Sequence, residues 1–472
     1  MRPLELTLSI LTILSSILFL IPRISARVKY QILPIVLILT GIAQIWLEGF
    51  RWQLWPLMIA ITALLLLALR GLTQPGHKKR LAGIVIAALV LASLSLVGGA
   101  LLPIPKPFKI TGPYQVGTTI FPLVDTSREE IYAAEANQPR EIMVQVWYPA
   151  EPKESDTRSQ WMPDIKVAGP AIAEWISLPS FALNHLEYAK GNAFLGAPAA
   201  SGGEKFPLLV FSHGWSGFKE QNIYQVEELA SHGYVVVGIN HTYGAVVTVF
   251  PDGRQLYRND NALPDGVSDE AYHQASNLLV RQWAGDIGFV LNEFALLDRK
   301  GSTLPFAGSY DLDRVGIFGH STGGGATAEF CGTDARCKAA LAMDLWIEPV
   351  SSEVVSAGLT QPYLFLHSDT WATESSHNNN YSLIGELVAN SQVKGTEIMI
   401  KGTQHYDFTS IPLFTPLASA IGLKGPIPGD SGLRLINYYS VAFFDHALRG
   451  SGDDPLKSEN SPSDYAEFIS RP

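Results

Sequence analysis

Residues 313–323 read DRVGIFGHSTG, and this stretch decides the fold that the sequence predicts. Its first part, Asp313–Phe318, is a short apolar segment bounded by charges, which is typical of a buried strand. The small residues Gly324–Ala326 follow it and would let a helix pack closely on a sheet. The stretch therefore predicts a strand, a sharp turn at Ser321 and then a helix.

The turn has the form Gly-x-Ser-x-Gly over Gly319–Gly323. In α/β-hydrolases such a pentapeptide joins a strand to a helix so sharply that only small side chains fit beside the serine. The same pattern also occurs in ordinary strand-to-helix turns. Its setting between a strand and a helix favours the nucleophile elbow, and Ser321 is the candidate nucleophile.

A nucleophilic serine needs a general base and an acid that orients it, and in this fold the chain order is serine, acid, histidine. His405 follows the apolar run Glu397–Ile400, where a loop after a late strand is expected, and it is the candidate base. The other histidines after Ser321 are expected in a strand, a polar segment and an amphipathic helix, respectively: His367, His377 and His446.

Two aspartates compete for the role of the acid. Asp344 ends the apolar run Ala339–Met343, and Asp369 ends the next predicted strand, Tyr363–Ser368. Both lie at strand ends where α/β sheets place their chemistry, and either could instead cap the following loop. Spacing alone does not separate them.

Several blocks resemble the secreted (group VII) type of platelet-activating-factor acetylhydrolases and their bacterial relatives. The similarity extends over roughly Gly112–Gly450. It implies an α/β-hydrolase that acts on carboxylic esters, such as short acyl groups on phospholipids. The blocks that carry it are Pro139–Pro149, Phe211–Trp215, Leu229–Val236, Gly319–Ser321 and Met343–Pro349.

The resemblance also assigns roles to single residues. The family's acid follows the strand after the nucleophile helix in an Asp-x-Trp setting, which matches Asp344 and leaves Asp369 as the alternative. It also implies the Trp215 amide as one oxyanion donor, whereas elbow geometry gives the Thr322 amide as the other. His213 precedes the serine in the chain and is expected to brace the Trp215 loop through hydrogen bonds.

Four uncharged apolar runs in the first hundred residues predict a multi-pass membrane region. About 20 residues span a bilayer, and these runs are near that length. A cleaved signal peptide is the alternative for the first run, since Arg2 precedes it and small residues lie near Ala26. The runs are Leu6–Ile21, Ile32–Leu47, Leu54–Leu69 and Leu81–Leu102.

Basic residues predict the orientation of this region in the cell membrane. The first and third connectors hold most of them and should be cytoplasmic, which places the N-terminus and everything after Leu102 outside the cytoplasm. Cleavage of the first run would remove one span from this topology. The basic residues concerned are Arg23, Arg27 and Lys29, then Arg70, Lys78, Lys79 and Arg80.

Charge separates two predicted regions, a transmembrane region over 1–104 and a catalytic domain over 105–472. The first holds nine Lys/Arg and two acids, and the second holds 25 Lys/Arg and 42 acids. An acidic catalytic domain argues against a nucleic-acid partner. The family resemblance implies a small-molecule or lipid ester as substrate, and the apolar runs imply contact with membrane lipids. Scattered histidines and the lack of a Gly-rich dinucleotide fingerprint predict no metal and no cofactor.

Alternating apolar runs and helical patterns predict a mostly parallel, doubly wound sheet. Residues 112–120 and 141–147 should add antiparallel strands at one edge, and the acid-rich tail 450–472 should be loosely held. An insertion near 152–203 could form a lid over the acyl pocket, and 408–423, which follows His405, could line the same pocket. For both segments the alternative is an amphipathic helix that covers the sheet.

Cys331 and Cys337 flank a turn-prone segment at the end of the nucleophile helix, and we expect a disulfide between them. Disulfides persist in oxidising compartments, so this bond depends on the predicted orientation. A pair of free thiols is the alternative. For the whole protein the alternative to an esterase is a membrane-bound binding or sensing protein with an inactive hydrolase-like domain.

Overall fold

Four long apolar helices begin the chain in the computed structural model, which describes residues 1–73, 78–201, 203–299, 302–373, 378–451, 456–457 and 461–470. By length and composition each helix could cross a membrane. They coincide with the four predicted apolar runs. The helices are α1 (Pro3–Leu20), α2 (Leu33–Glu48), α3 (Trp55–Thr73) and α4 (Lys78–Leu101).

Most polar side chains of α1 lie on the buried side of this bundle, with Thr7 the exposed exception. The hydroxyls of Ser9 and Thr12 donate to the carbonyls of Glu5 and Leu8 at 2.8 and 2.7 Å. A hydroxyl bonded to the preceding turn leaves no unpaired polar group in an apolar bundle. The Arg51 guanidinium pairs with the Glu5 carboxylate at 2.8 Å, with both side chains fully buried.

An 11-stranded sheet forms the centre of the rest of the chain. Its strands, in chain order, are β1 (Gln115–Glu129), β2 (Pro139–Ala150), β3 (Arg158–Gln160), β4 (Lys190–Leu195), β5 (Phe206–Ser212), β6 (Val235–Asn240), β9 (Tyr310–His320), β10 (Ala339–Met343), β11 (Tyr363–Ser368), β12 (Thr396–Ile400) and β13 (Ala466–Phe468). A separate hairpin pairs β7 (Val247–Val249) with β8 (Gln255–Tyr257).

The order across the sheet is β13-β12-β11-β10-β9-β5-β6-β2-β1-β4-β3. The run from β6 to β12 is parallel, as the sequence predicts, and β2 joins it antiparallel to β6. The carboxyl ends of the parallel strands therefore meet at one edge, where α/β sheets hold their active sites.

Helices cover both faces of the sheet. In β5, Leu209 and Phe211 join one buried cluster and Leu208 and Val210 join the other, as the two-residue period of a strand requires. The helices are α5 (Ile165–Trp175), α6 (Ile223–Ser231), α7 (Asp269–Arg299), α8 (Thr322–Thr333), α9 (Ser352–Ala357), α10 (Asp369–Thr373), α11 (Asn378–Asn390) and α12 (Ser431–Arg449).

Two predictions about the edges of the sheet are wrong. The β1–β2 pair is antiparallel as predicted but is not an edge, because β4 and β3 from the 152–203 insertion extend the sheet beyond β1. The tail is also not loose throughout, since β13 pairs with β12. Strands of three residues carry too short a pattern to be read from sequence.

The disulfide and the inserted segment complete the fold. Cys331 and Cys337 are joined at the end of α8 with a Cα–Cα distance of 5.2 Å, as predicted. The insertion places Trp161, Ile165 and Ile172 in the main apolar cluster. Its helix α5 therefore packs onto the body of the domain.

Candidate active site

Ser321 lies on the sharp turn between β9 and α8, as its motif predicts. Its backbone has φ +56° and ψ −118°, a conformation that side-chain-bearing residues rarely adopt. Its N–H donates to the Met343 carbonyl at 2.9 Å. A Cβ on Gly319 would lie 2.2 Å from the Gly323 carbonyl oxygen, so the elbow requires glycine there.

His405 and Asp344 are brought together beside this turn. His405 Nδ1 lies 2.9 Å from Asp344 Oδ2, and the Asp344 side chain is fully buried. Ser368 holds the same carboxylate through its N–H at 2.6 Å and its hydroxyl at 2.7 Å. The indole of Trp371 stacks on the His405 ring at 4.6 Å. These contacts fix the imidazole through Nδ1 and through one face of the ring.

The competing acid has a different partner. Asp369 begins α10, and its carboxylate accepts a hydrogen bond from the Gly402 N–H at 3.0 Å. This contact ties the start of α10 to the turn that follows β12.

The other histidines after Ser321 are placed as follows. His367 is buried in β11, with Nε2 3.2 Å from Glu397 Oε2. His446 is exposed on α12. The prediction for His377 falls outside the described residues.

The predicted oxyanion loop lies directly against Ser321. A Cβ on Gly214 would be 3.3 Å from Ser321 Cβ. The loop is closed by a hydrogen bond from the Gly217 N–H to the Gly214 carbonyl at 2.8 Å. Thr322 is the first residue of α8, where backbone N–H groups have no partner within the helix. The amides of Trp215 and Thr322 thus belong to two segments that meet at Ser321.

His320 connects the His405 segment with the loop that follows β5. This role of His320 was not predicted from the sequence. Its Nε2 donates to the His405 carbonyl at 3.1 Å, and its Nδ1 accepts from Gln221 Nε2 at 3.1 Å. Gln221 Oε1 in turn accepts from the Gly214 N–H at 3.2 Å. Burial, aided by the nearby His405, lowers the pKa of His320 well below its ordinary value. The ring is therefore neutral and acts as a bridge.

Only one of the residues that support the site could have been identified from a sequence motif. His320 stands inside the pentapeptide and could have been singled out there. Gln221, Ser368 and Trp371 follow no motif, since tertiary packing alone brings them to the site.

His213 is a brace in the structure, as expected. Its Nδ1 donates to the Gly214 carbonyl at 2.7 Å, and its Nε2 accepts from the His241 N–H at 3.2 Å. Both ring nitrogens are thereby occupied inside the protein.

Among the described residues, His320, Asp344 and His405 offer ligand-type atoms within 4.8 Å of one another, close enough for a metal ion. His320 bonds the His405 carbonyl and the Gln221 side chain, and Asp344 bonds His405 Nδ1 and Ser368. The set is thus accounted for by the hydrogen bonds of the site.

The two predicted pocket segments meet beside His405. Trp175 of α5 contacts Tyr406 with ring centroids 5.9 Å apart, and Trp161 contacts Phe414 at 5.0 Å. The 408–423 segment forms a short 3₁₀ turn, Ile411–Phe414, rather than the amphipathic helix of the alternative. Tyr406 also contacts the His405 ring, with centroids 5.9 Å apart, so Trp175 and Tyr406 form an apolar wall beside the imidazole, whereas Trp161 and Phe414 are buried.

A serine on a strained strand–helix turn, followed in the chain by an aspartate and a histidine that contact each other just after later strands of a parallel sheet, is the arrangement of the α/β-hydrolase class. Sequence comparison gives the family: residues 104–461 match the one described as "Platelet-activating factor acetylhydrolase, isoform II". The chain belongs to this family, and it is a carboxylic ester hydrolase.

Individual relatives agree with this assignment. A platelet-activating factor acetylhydrolase of Cavia porcellus is 26% identical over 364 residues, which cover 72% of this chain and 77% of that protein. A probable 1-alkyl-2-acetylglycerophosphocholine esterase of Arthroderma benhamiae is 25% identical, covering 82% and 98%. A ferulic acid esterase from Streptomyces cinnamoneus superposes with a TM-score of 0.63 at 25% identity, covering 78% and 100%.

Proposed function

We propose that this protein is a membrane-anchored serine hydrolase that removes acyl groups from carboxylic esters, including short-chain acyl groups of phospholipids. The observation that carries the proposal is the 2.9 Å contact between His405 Nδ1 and Asp344 Oδ2 beside the elbow serine. Relatives named as esterases of an acetylated phospholipid support the substrate class.

Ser321 is the nucleophile, His405 the general base and Asp344 the orienting acid. Asp344 accepts a hydrogen bond from the Nδ1–H of His405, which leaves Nε2 free to take the proton of the Ser321 hydroxyl. The serine oxygen attacks the ester carbonyl carbon, and the alcohol leaves with the proton that His405 returns. Water then repeats the sequence on the acyl-enzyme and releases the acid.

The oxyanion that forms during each attack is stabilised by the Trp215 and Thr322 amides. The Thr322 amide stands at the N-terminus of α8, whose dipole favours negative charge. Each such donor is worth about 3 kcal/mol of barrier in serine hydrolases. Ser321 lies where the two segments meet, so both donors reach one carbonyl oxygen.

The acyl or alcohol part of the substrate lies along the aromatic wall formed by α5 and the segment after His405. Trp175 and Tyr406 are partly exposed and supply this surface. Leu178 and Phe181, which follow α5, are 38% and 48% exposed. Exposed apolar side chains around a pocket suit a lipid ester.

The four apolar helices cross the membrane and hold the catalytic domain at its outer surface, with the division near residue 104. Several large apolar side chains of α2 point away from the protein, including Leu39 at 62% and Trp46 at 84% exposed. Lipid would cover such a surface, whereas exposure to water is costly.

Contacts between the helix bundle and the catalytic domain support a location of the α2–α3 connector and the domain on the same side of the membrane. Arg51 Nη1 donates to the Leu102 carbonyl at 3.0 Å, and Trp52 Nε1 donates to the Ala182 carbonyl at 3.2 Å. The α2–α3 connector, the end of α4 and the segment after α5 therefore lie together. The basic residues of the first and third connectors favour the cytoplasmic side for those connectors. The α2–α3 connector and the catalytic domain would then lie outside the cytoplasm.

A fluorophosphonate probe and the Ser321→Ala variant test the proposal. We expect the wild-type protein to react with the probe and to hydrolyse p-nitrophenyl acetate, and the folded variant to do neither. A panel of p-nitrophenyl esters with increasing acyl length then defines the chain preference. A folded wild type that neither reacts nor hydrolyses would favour the binding or sensing alternative.

Orientation is tested with a charged, membrane-impermeant fluorophosphonate on intact cells. We expect labelling of wild type without permeabilisation and no labelling of Ser321→Ala. Labelling that requires permeabilisation would place the catalytic domain in the cytoplasm.

A further inference from the structure

A second serine–histidine–aspartate chain lies beneath the oxyanion loop. Ser212 Oγ is 2.8 Å from His241 Nε2, and His241 Nδ1 is 2.8 Å from Asp286 Oδ2. All three side chains are 0% exposed, so no substrate reaches them. The three residues are connected like a catalytic triad, but a substrate cannot reach them.

Charged partners fix the direction of these hydrogen bonds. Arg140 bonds both carboxylate oxygens of Asp286, at 2.6 and 3.1 Å, and Arg128 adds a contact at 2.8 Å. Burial opposes ionisation, but Arg140 and His241 hold the pKa of Asp286 below its usual range. Burial also lowers the pKa of His241. The neutral ring thus donates from Nδ1 to Asp286 and accepts at Nε2 from the Ser212 hydroxyl.

Stacking holds the His241 ring in place. The indole of Trp283 lies parallel to it, with centroids 4.2 Å apart and 5° between the planes. Trp283 and Asp286 both belong to α7, so this helix fixes the imidazole through one stacking contact and one hydrogen bond.

The chain of bonds ends at the backbone that carries the oxyanion donor. Ser212 is the last residue of β5, three positions before Trp215. The His241 N–H donates to His213 Nε2, and His213 Nδ1 donates to the Gly214 carbonyl. The network therefore forms a hydrogen bond with each loop residue from Ser212 to Gly214.

The opposite side of the loop rests on the nucleophile elbow. A Cβ on Gly323 would lie 2.1 Å from the Ser212 carbonyl oxygen and 2.4 Å from that of His213. The loop is thus enclosed between α8 and the buried network. Any relaxation of the network moves the loop relative to Ser321.

We infer that Ser212 and His241 are positioning residues for ester hydrolysis: they hold the loop so that the Trp215 amide points at the developing oxyanion. This inference rests on the proposed function. Oxyanion donors act because they are fixed before the reaction, and a displacement of about 1 Å can cost a hundredfold in rate.

Ser212→Ala and His241→Gln test the inference on the full-length protein in detergent. Ser440→Ala is the matched control, because its hydroxyl is also fully buried and lies 2.7 Å from a polar side chain, Gln225 Nε2. The measurements are kcat and KM for p-nitrophenyl acetate, melting temperature, and the inhibition constant of an aryl trifluoromethyl ketone. Ser321 adds to this ketone to give a tetrahedral oxyanion, whereas the ester ground state does not contain one.

We expect both test variants to lose about 10- to 100-fold in kcat, with KM changed less than about threefold. The affinity for the trifluoromethyl ketone should fall by a similar factor, since it depends on the same donor. Ser440→Ala should keep kcat and ketone affinity even where its melting temperature falls.

A folded Ser212→Ala variant with wild-type kcat overturns the inference, as does a loss of kcat with unchanged ketone affinity. Should His241→Gln not fold, Ser212→Ala decides alone, because it removes one hydroxyl and little volume. Failure of the proposed function is separate, since wild type itself would then show no hydrolysis and no labelling of Ser321.

Discussion

The Asp344 carboxylate receives hydrogen bonds from both the backbone and the hydroxyl of Ser368 while it contacts His405 Nδ1. Two donors from one residue hold the oxygens in a fixed plane, and the third contact then fixes the imidazole. Asp344 itself adopts a positive φ of 45° at the end of β10. Strain of this kind is tolerated where the surrounding contacts determine the conformation.

Replacement of this carboxylate is the first prediction. Asp344→Asn should lower kcat for p-nitrophenyl acetate by about 10⁴-fold, because an amide no longer selects the Nδ1–H tautomer of His405. Asp369→Asn is the matched control, since its carboxylate bonds the Gly402 N–H, and it should lose less than about tenfold. The reverse ranking, measured on folded variants, would move the acid to the end of β11.

Gly323→Ala is the second prediction. Its Cβ would meet two backbone carbonyl oxygens, those of Ser212 and His213, at 2.1 and 2.4 Å. Backbone cannot rotate away as a side chain can, so the elbow or the oxyanion loop must shift. We expect a loss of at least about 100-fold in kcat and a lower melting temperature.

Gly324→Ala is the control at the next position of the same helix. The nearest atoms to its Cβ would be Leu345 Cα at 3.3 Å and Ala342 Cβ at 3.5 Å, so a shift of a few tenths of an ångström suffices. Alanine also favours a helix over glycine by up to about 1 kcal/mol. Equal activities of the two variants would contradict the packing argument.

The strand, turn and helix around Ser321 could be predicted because they depend on local sequence. An apolar run, a glycine pair and a stretch of small residues fix β9 and the start of α8 with no distant partner. The same holds for the four apolar helices, whose length and composition are enough. His405 and Asp344 were predicted from chain order and family resemblance, and the structure places them in contact.

The supporting contacts of the site could not be predicted in this way. Gln221 reaches His320 from the loop after β5, and Trp371 reaches His405 from α10. Such pairs depend on how helices and loops pack against the sheet in the folded protein. The short strands β3 and β13 likewise exist because neighbouring strands offer them hydrogen bonds.

The disulfide gives the third prediction. Cys331 and Cys337 should yield no free thiol when the denatured, unreduced protein from native membranes is titrated. Because the bond closes a short loop, a Cys331→Ser, Cys337→Ser double variant should be less stable by roughly 2 kcal/mol. Two free thiols per chain would contradict both the bond and the placement of the catalytic domain in an oxidising compartment.

The last prediction concerns His185, which lies outside the four apolar helices in the segment after α5. Burial, followed by the nearby Arg51 charge, lowers the pKa of its ring to about 4, while its Nδ1 lies 3.0 Å from the Ala182 carbonyl. In the unfolded chain the ring titrates near 6.5, so below that pH the unfolded state binds the extra proton and stability falls, by roughly 2 kcal/mol at pH 5. His185→Asn keeps an N–H donor but does not titrate, so the melting temperature of wild type minus that of the variant should decrease from pH 7.5 to pH 5. Substitution of the exposed His446 by Asn is the control for the same change of side chain at a surface position. A pH-independent difference for His185→Asn would show that this histidine is not held neutral against the bundle.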